Sequence, residues 1–251
     1  MRAERRMSRP RWAVDGQTGK APVAFLGYSG LHPGCMIEVT DLAGTREAAV
    51  CCLLLDDQDR PHALLTAGHV FVRGTKNAVV RAAVGGTTAS IVVGKKVTNL
   101  LDLVPATTPT TDAAAVELTE AGKQLAKKAV WPCRFTNAVP AAAPLPKTGR
   151  VWLATRKQPV TGCLALSALA APQQVAAPVR PAGYEVCGLI AAAKAGTRRG
   201  DSGTFLCTDI ADGELIGLCV GAKTGQSYFV SAATAIAALS KAMGMGLKLW
   251  R

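Results

Sequence analysis

The chain has 251 residues, 49% of them hydrophobic and 18% charged, with 25 Gly and 14 Pro. That length carries a full core in one large domain or two small ones, and this balance excludes a chain that is disordered as a whole. No apolar run approaches the roughly 18 residues of a membrane-spanning helix, which excludes such a helix; the net charge of +12 favours polyanionic or acidic contacts and has no bearing on fold.

Residues 1–20 read as a basic, poorly ordered arm, with Arg2, Arg5, Arg6, Arg9, Arg11 and Lys20 against Glu4 and Asp15, a net +4. Such an arm offers a weak electrostatic contact to RNA or another polyanion, but Trp12 is its sole aromatic, so base stacking has little support. No apolar stretch of a secretory signal follows, and the expected location is cytoplasmic rather than secreted.

From Pro22 onward short apolar runs alternate with turn residues, the pattern of an all-β protein. Strands are expected at 23–28, 35–40, 48–55, 63–66, 77–84, 88–93 and 112–118, with Gly85-Gly86-Thr87 turning a hairpin between the fifth and sixth. A short helix is expected over 119–130. The Ala/Pro-rich stretch 137–149 has no period and reads as a linker between a first half, 21–136, and a second half, 150–251. Strand signals resume at 150–155, 160–166, 184–192, 204–208, 214–220 and 227–230, interrupted by a Pro-rich loop at 170–181. The stretch 231–244 is the best helix, with Ser231 as N-cap, Gly244 as its stop, and Ile236 and Leu239 on one face.

The eight cysteines would allow four disulfides, but without export they stay reduced. Most lie in apolar runs (AAVCCLLL, YEVCGLI, LIGLCVG) as small buried hydrophobes. There is no CxxC pair and the three His lack ligand spacing, so no metal is expected. His32 and His62, in HPG and RPH, read as surface or turn residues.

Three motifs carry chemistry: LLTAGHV with His69 just after an apolar strand, TTDAAAVEL with Asp112 just before one, and GTRRGDSGTFLC with Ser202. A serine hydroxyl is a weak nucleophile until an imidazole takes its proton. A buried carboxylate fixes the imidazole tautomer, and glycines beside the serine allow a tight turn that aims backbone N–H groups at a developing oxyanion. Asp102, in LLDLVP, is the rival to Asp112 as the orienting acid.

TAGHV, DAAAVEL and GDSG, in the order His, Asp, Ser and 43 and 90 residues apart, resemble the chymotrypsin/trypsin superfamily of serine proteases. The resemblance covers roughly 22–244. It implies two six-stranded antiparallel Greek-key β-barrels with a C-terminal α-helix, His69 and Asp112 on the first barrel and Ser202 on the second. It further implies Ser202 as nucleophile, His69 as general base and acid, Asp112 as its orienter, and the Gly200 and Ser202 N–H groups as the oxyanion hole. No cofactor is needed. Val70 stands where secreted members carry Cys, and Asp201 has no new N-terminal amine to pair with, which suggests a protease without an activation cleavage. The string TRRGDSG also resembles the chymotrypsin-like proteases of positive-strand RNA viruses (sobemovirus-, astrovirus- and arterivirus-like), which release proteins from polyproteins.

With Gly196 six residues before Ser202 and no His after His69, neither a basic nor an acidic P1 side chain is supported. Gly196, Thr197, Cys219, Val220 and Gly221 are expected to line a small, mostly apolar pocket for a small or medium apolar P1 residue of a protein or polyprotein substrate. The competing reading is a nucleic-acid-binding or capsid-like protein on a protease fold, with catalysis single-turnover or lost. Trp250, which Arg251 follows, fits that reading if it fills its own pocket, and otherwise anchors the tail to the domain.

Overall fold

The computed structural model describes residues 30–83, 90–129, 131, 134–223 and 225–251. The basic arm 1–20, the strand expected at 23–28 and the turn expected at 85–87 lie outside them.

The first half forms strands β1 (Met36–Asp41), β2 (Gly44–Ala49), β3 (Cys52–Leu55), β4 (Pro61–Thr66), β5 (Asn77–Ala83), β6 (Ser90–Asn99) and β7 (Ala114–Leu118), followed by helix α1 (Glu120–Lys128). The sheet order is β3-β4-β7-β6-β5-β1-β2, all antiparallel. The two end strands are separated only by Val50 and Cys51, which keep pairing: the Val50 N–H donates to Cys35 O at 3.0 Å and the Cys51 N–H to Leu65 O at 2.8 Å. Residues 44–55 are therefore one bent strand belonging to both ends, and they close the sheet into a barrel. Period-two alternation sets the inner face: Ala78, Val80 and Ala82 point inward along β5.

The second half holds β8 (Thr148–Leu153), β9 (Gln158–Pro159), β10 (Leu164–Ala168), β11 (Gln173–Ala177), β12 (Arg180–Val186), β13 (Leu189–Ala193), β14 (Phe205–Cys207), β15 (Leu215–Lys223) and β16 (Gln226–Ser231). Its order β10-β13-β16-β15-β14-β8 closes on itself through a β10–β8 pairing, giving a six-stranded barrel. Helix α2 (Ala232–Met243) follows. Ser231 Oγ accepts the Thr234 N–H at 3.3 Å, and Gly244 at φ +67° ends the helix. The two-barrel architecture with a C-terminal helix is the one the sequence motifs imply.

Three local expectations are corrected. The Pro-rich stretch 170–181 is not a plain loop: β11 and β12 form a hairpin. A two-stranded sheet is all edge, so it tolerates a proline that cannot donate to a ladder. His32 does open a turn, with the Cys35 N–H donating to its carbonyl at 3.1 Å, but it is buried rather than at the surface, at 4% exposure, with Nδ1 2.7 Å from Pro33 O; His62 is a half-buried strand residue of β4. Residues 137–139, inside the expected linker, run along β15, with Asn137 O and the Val139 N–H both bonded to Leu215 at 2.8 Å.

After α2 the chain returns to the first barrel. Strand β17 (Lys248–Leu249) pairs with β3, the Trp250 N–H donates to Leu53 O at 2.9 Å, and the Trp250 ring meets Trp131 edge-on at 5.0 Å. These contacts are those of an anchor; they do not describe a Trp250 seated at Ser202.

Candidate active site

Strands β4 and β7 are antiparallel neighbours with Thr66 opposite Ala114. The residues just after β4 and just before β7 therefore emerge at one edge of the first barrel. His69 leaves β4 on a single 3-10 turn, Gly68–Val70, braced where Asn99 Nδ2 donates to Gly68 O at 2.9 Å. Asp112 lies beneath it, with no solvent exposure. Its Oδ1 accepts the His69 backbone N–H at 2.9 Å, and its Oδ2 lies 2.8 Å from His69 Nδ1. A carboxylate only accepts, so Nδ1 carries the proton and Nε2 is left as an acceptor. Ser202 Oγ lies 2.9 Å from Nε2. Burial alone would raise the Asp112 carboxyl; the His69 charge and the hydrogen bonds from His69 and Tyr184 outweigh it and hold the group below the usual carboxylate range.

Asp102, the rival acid, is elsewhere. It lies at the turn after β6 and pairs with Arg180 at 2.8 Å, both side chains largely buried.

Ser202 reaches His69 from the loop between β13 and β14. The Ser202 carbonyl accepts the Ala49 N–H at 2.8 Å, from the bend of the first barrel. Thr66 Oγ1 donates to Ala49 O at 2.7 Å, so the serine loop is seated on the same strands that carry His69. Gly203, at φ +91°, admits this contact: a Cβ there would stand 2.2 Å from Ala49 O. Gly200 is also in the left-handed half of backbone space, at φ +95°, where it turns the chain so that the 200 and 202 amides flank Asp201. Neither of those N–H groups is bonded to an acceptor among the described residues, whereas the Asp201 N–H donates to Arg198 O.

The Asp201 side chain is fully buried, and its partners among the described residues are backbone N–H groups. Its carboxylate accepts the Thr155 N–H at 2.8 Å and the Arg198 N–H at 3.0 Å, and Arg198 Nε donates to Thr155 Oγ1 at 2.9 Å. Backbone donors thus occupy the place where the sequence offered no partner.

The residues expected to line a pocket come together in part. The Thr197 and Ser227 hydroxyls are hydrogen-bonded, and Thr197 also reaches Cys219. Cys219 is buried at 1% exposure, with its thiol pushed up to about 12 by burial, and its Sγ lies 3.9 Å from Gly221 O. Val220, its neighbour in β15, is buried, and Gly196 is exposed. Sequence reasoning missed Ser227, Asn99, Tyr184 and the partners of Asp201. Each acts through a contact far along the chain, and no local motif marks any of them.

No family model matches the chain, and neither does any curated protein. Solved structures do. The Nocardiopsis protease NAPase superposes with a TM-score of 0.52 at 15% identity, over 90% of this chain and 99% of that one. This chain has the chymotrypsin-like serine protease fold. A glutamic-acid-specific serine protease, described as using a histidine triad in substrate binding, gives 0.50 at 14% identity over 88% and 100% of the two chains. Among the described residues no helix is long and apolar enough to cross a membrane, and no cluster of side chains suits a metal ion.

Proposed function

We propose that the chain is a serine endopeptidase in which Ser202 is the nucleophile, His69 the general base and acid, and Asp112 the residue that orients His69. The observation that carries this reading is the unbroken line of contacts from Asp112 Oδ2 through His69 to Ser202 Oγ, at 2.8 and 2.9 Å, on a fold built for it.

Ser202 Oγ attacks the substrate carbonyl carbon while His69 Nε2 takes the hydroxyl proton, leaving an imidazolium beside the Asp112 carboxylate. The carbonyl π electrons move onto oxygen, and the Gly200 and Ser202 N–H groups receive that oxyanion. Donors of this kind are worth on the order of 3 kcal/mol each. Collapse expels the amine, which takes the proton from Nε2, and leaves the acyl group on Oγ. Water, deprotonated by His69, attacks in turn and frees the acid and the hydroxyl. Asp201, already held by Thr155 and Arg198, supports a loop assembled without an activating cleavage.

The P1 side chain faces Gly196, Thr197, Cys219, Val220 and Gly221 in this reading, which suits a small or medium apolar residue. The seven described cysteines are free. This supports work under reducing conditions on intracellular proteins or a polyprotein.

Intact-mass spectrometry after a fluorophosphonate probe tests the proposal. The wild type gains one adduct and Ser202→Ala gains none; a folded wild type without an adduct overturns the assignment.

A further inference from the structure

We propose that Tyr184 is a positioning residue that crosses from the second barrel to fix the Asp112 carboxylate and thereby sets the basicity of His69. The proposal rests on the reading of His69 and Asp112 as parts of a protease site, and its test also has a readout that needs no turnover.

Tyr184 lies on β12, where the strand expected from residue 184 meets a hairpin whose earlier part, 170–181, the sequence presents as a Pro-rich loop. The hairpin leaves the second barrel and is fastened to the first at several points. Val186 bridges Thr110, the Thr110 N–H donates to Glu185 O at 3.1 Å, and the Cys187 N–H donates to Thr110 O at 3.1 Å. Arg180, at its other end, donates through Nε to Phe71 O at 3.2 Å and through Nη2 to Asp102 Oδ1 at 2.8 Å. Thr110 is two residues before Asp112, and Phe71 two after His69. The hairpin thus grips both flanks of the pair.

From this clamp the Tyr184 hydroxyl donates to Asp112 Oδ2 at 2.9 Å, and its ring lies nearly parallel to that of His69, at 17° and 6.5 Å between centroids. Oδ2 has two lone pairs: one takes Nδ1–H of His69 and the other takes Tyr184 O–H. A donor on the same oxygen draws negative charge from it, which leaves less to stabilise the imidazolium. It also removes the freedom of the carboxylate to rotate away. Tyr184 is buried, at 4% exposure, and burial together with the Asp112 charge pushes its ionisation upward, so the hydroxyl stays a donor. Of the other titratable groups, Arg180 on β12 lies within electrostatic reach of Tyr184, and the Cys219 thiol of β15 within reach of Asp112 and Asp201.

The test is an NMR titration of the His69 imidazole, assigned among the three histidines by His69→Ala. Tyr184→Phe keeps the ring and deletes the donor. The His69 midpoint rises by about half a pH unit or more, the size expected for one lost hydrogen bond to the carboxylate. The acid limb of fluorophosphonate labelling moves with it, and the limiting rate falls about threefold or more. Tyr228→Phe, which loses only an exposed contact to Gln226, leaves both unchanged. Should Tyr184→Phe fold poorly, 3-fluorotyrosine at position 184, with Tyr28 and Tyr228 changed to Phe, strengthens the donor without deleting it, and the midpoint falls instead. A midpoint that stays put in a folded variant overturns the proposal, even if melting temperature drops. If the midpoint moves as stated but the wild type takes no probe, the positioning role stands and the protease reading fails.

Discussion

Replacing Asp112 by asparagine turns one carboxylate oxygen into an NH2 group, and the hydrogen bonds decide which one. The His69 backbone N–H can only donate, and it points at Oδ1 from 2.9 Å. The amide must therefore keep its carbonyl there and place nitrogen where Oδ2 was, facing His69 Nδ1. Two donors cannot face each other, so His69 changes tautomer: Nδ1 becomes the acceptor and Nε2 carries the proton toward Ser202. In that state Nε2 cannot take the serine proton. The expected loss is about ten-thousandfold in acylation rate, equivalent to about 5.5 kcal/mol of barrier. Shape and volume are nearly unchanged, so the melting temperature stays within a few degrees. The assay is the second-order rate of fluorophosphonate modification of Ser202 at neutral pH, with thermal unfolding alongside. A variant that reacts at the wild-type rate refutes the reasoning, as does loss of the rate in Asp102→Asn instead.

Ser202→Ala and His69→Ala should each abolish labelling or turnover, and the double variant should lose no more peptidase activity than either single one, because the groups act as a unit; losses that add would break that picture. Gly203→Ala puts a methyl 2.2 Å from Ala49 O at φ +91°. Strain and overlap together cost about 3 kcal/mol or more, so melting should fall by roughly 6 °C or more with slower labelling; unchanged melting would show the serine loop is not seated as described. Burial lowers His32 from 6.5 to about 4. The folded state therefore resists protonation, and the associated stability, on the order of 3 kcal/mol, is full above about pH 6.5 and lost as pH falls toward 4. Urea titrations of wild type and His32→Asn at neutral and acid pH should show a shallower acid loss in the variant; parallel losses would contradict the assignment.

Much of the fold is legible in the chain because its signals are local. Alternating apolar residues mark the strands, as at Ala78, Val80 and Ala82, and Ser231 and Gly244 bracket α2 through bonds made within a few residues. The hairpin at 173–186 is legible only at its end, where a strand is expected from residue 184. Its prolines read as loop punctuation, and its strands are held by contacts to Thr110, Phe71 and Asp102 that no window of sequence contains. The split of 44–55 between two ends of one sheet is hidden likewise, since Ala48 to Leu54 are buried without alternation at the seam of the barrels.

By itself the sequence determined that the chain is β-rich, that His69 follows a strand, that Asp112 precedes one, and that a glycine-flanked Ser202 sits before a third. Each of these depends on residue type and near neighbours. Only the tertiary structure placed Asp112 against His69 and Asp102 against Arg180, supplied Asp201 with the Thr155 and Arg198 amides, and brought Tyr184 onto the acid. Those outcomes depend on where two barrels meet. A hydrogen bond is set by a few ångströms in space, and residues 72 or 133 positions apart along the chain carry no local mark of it.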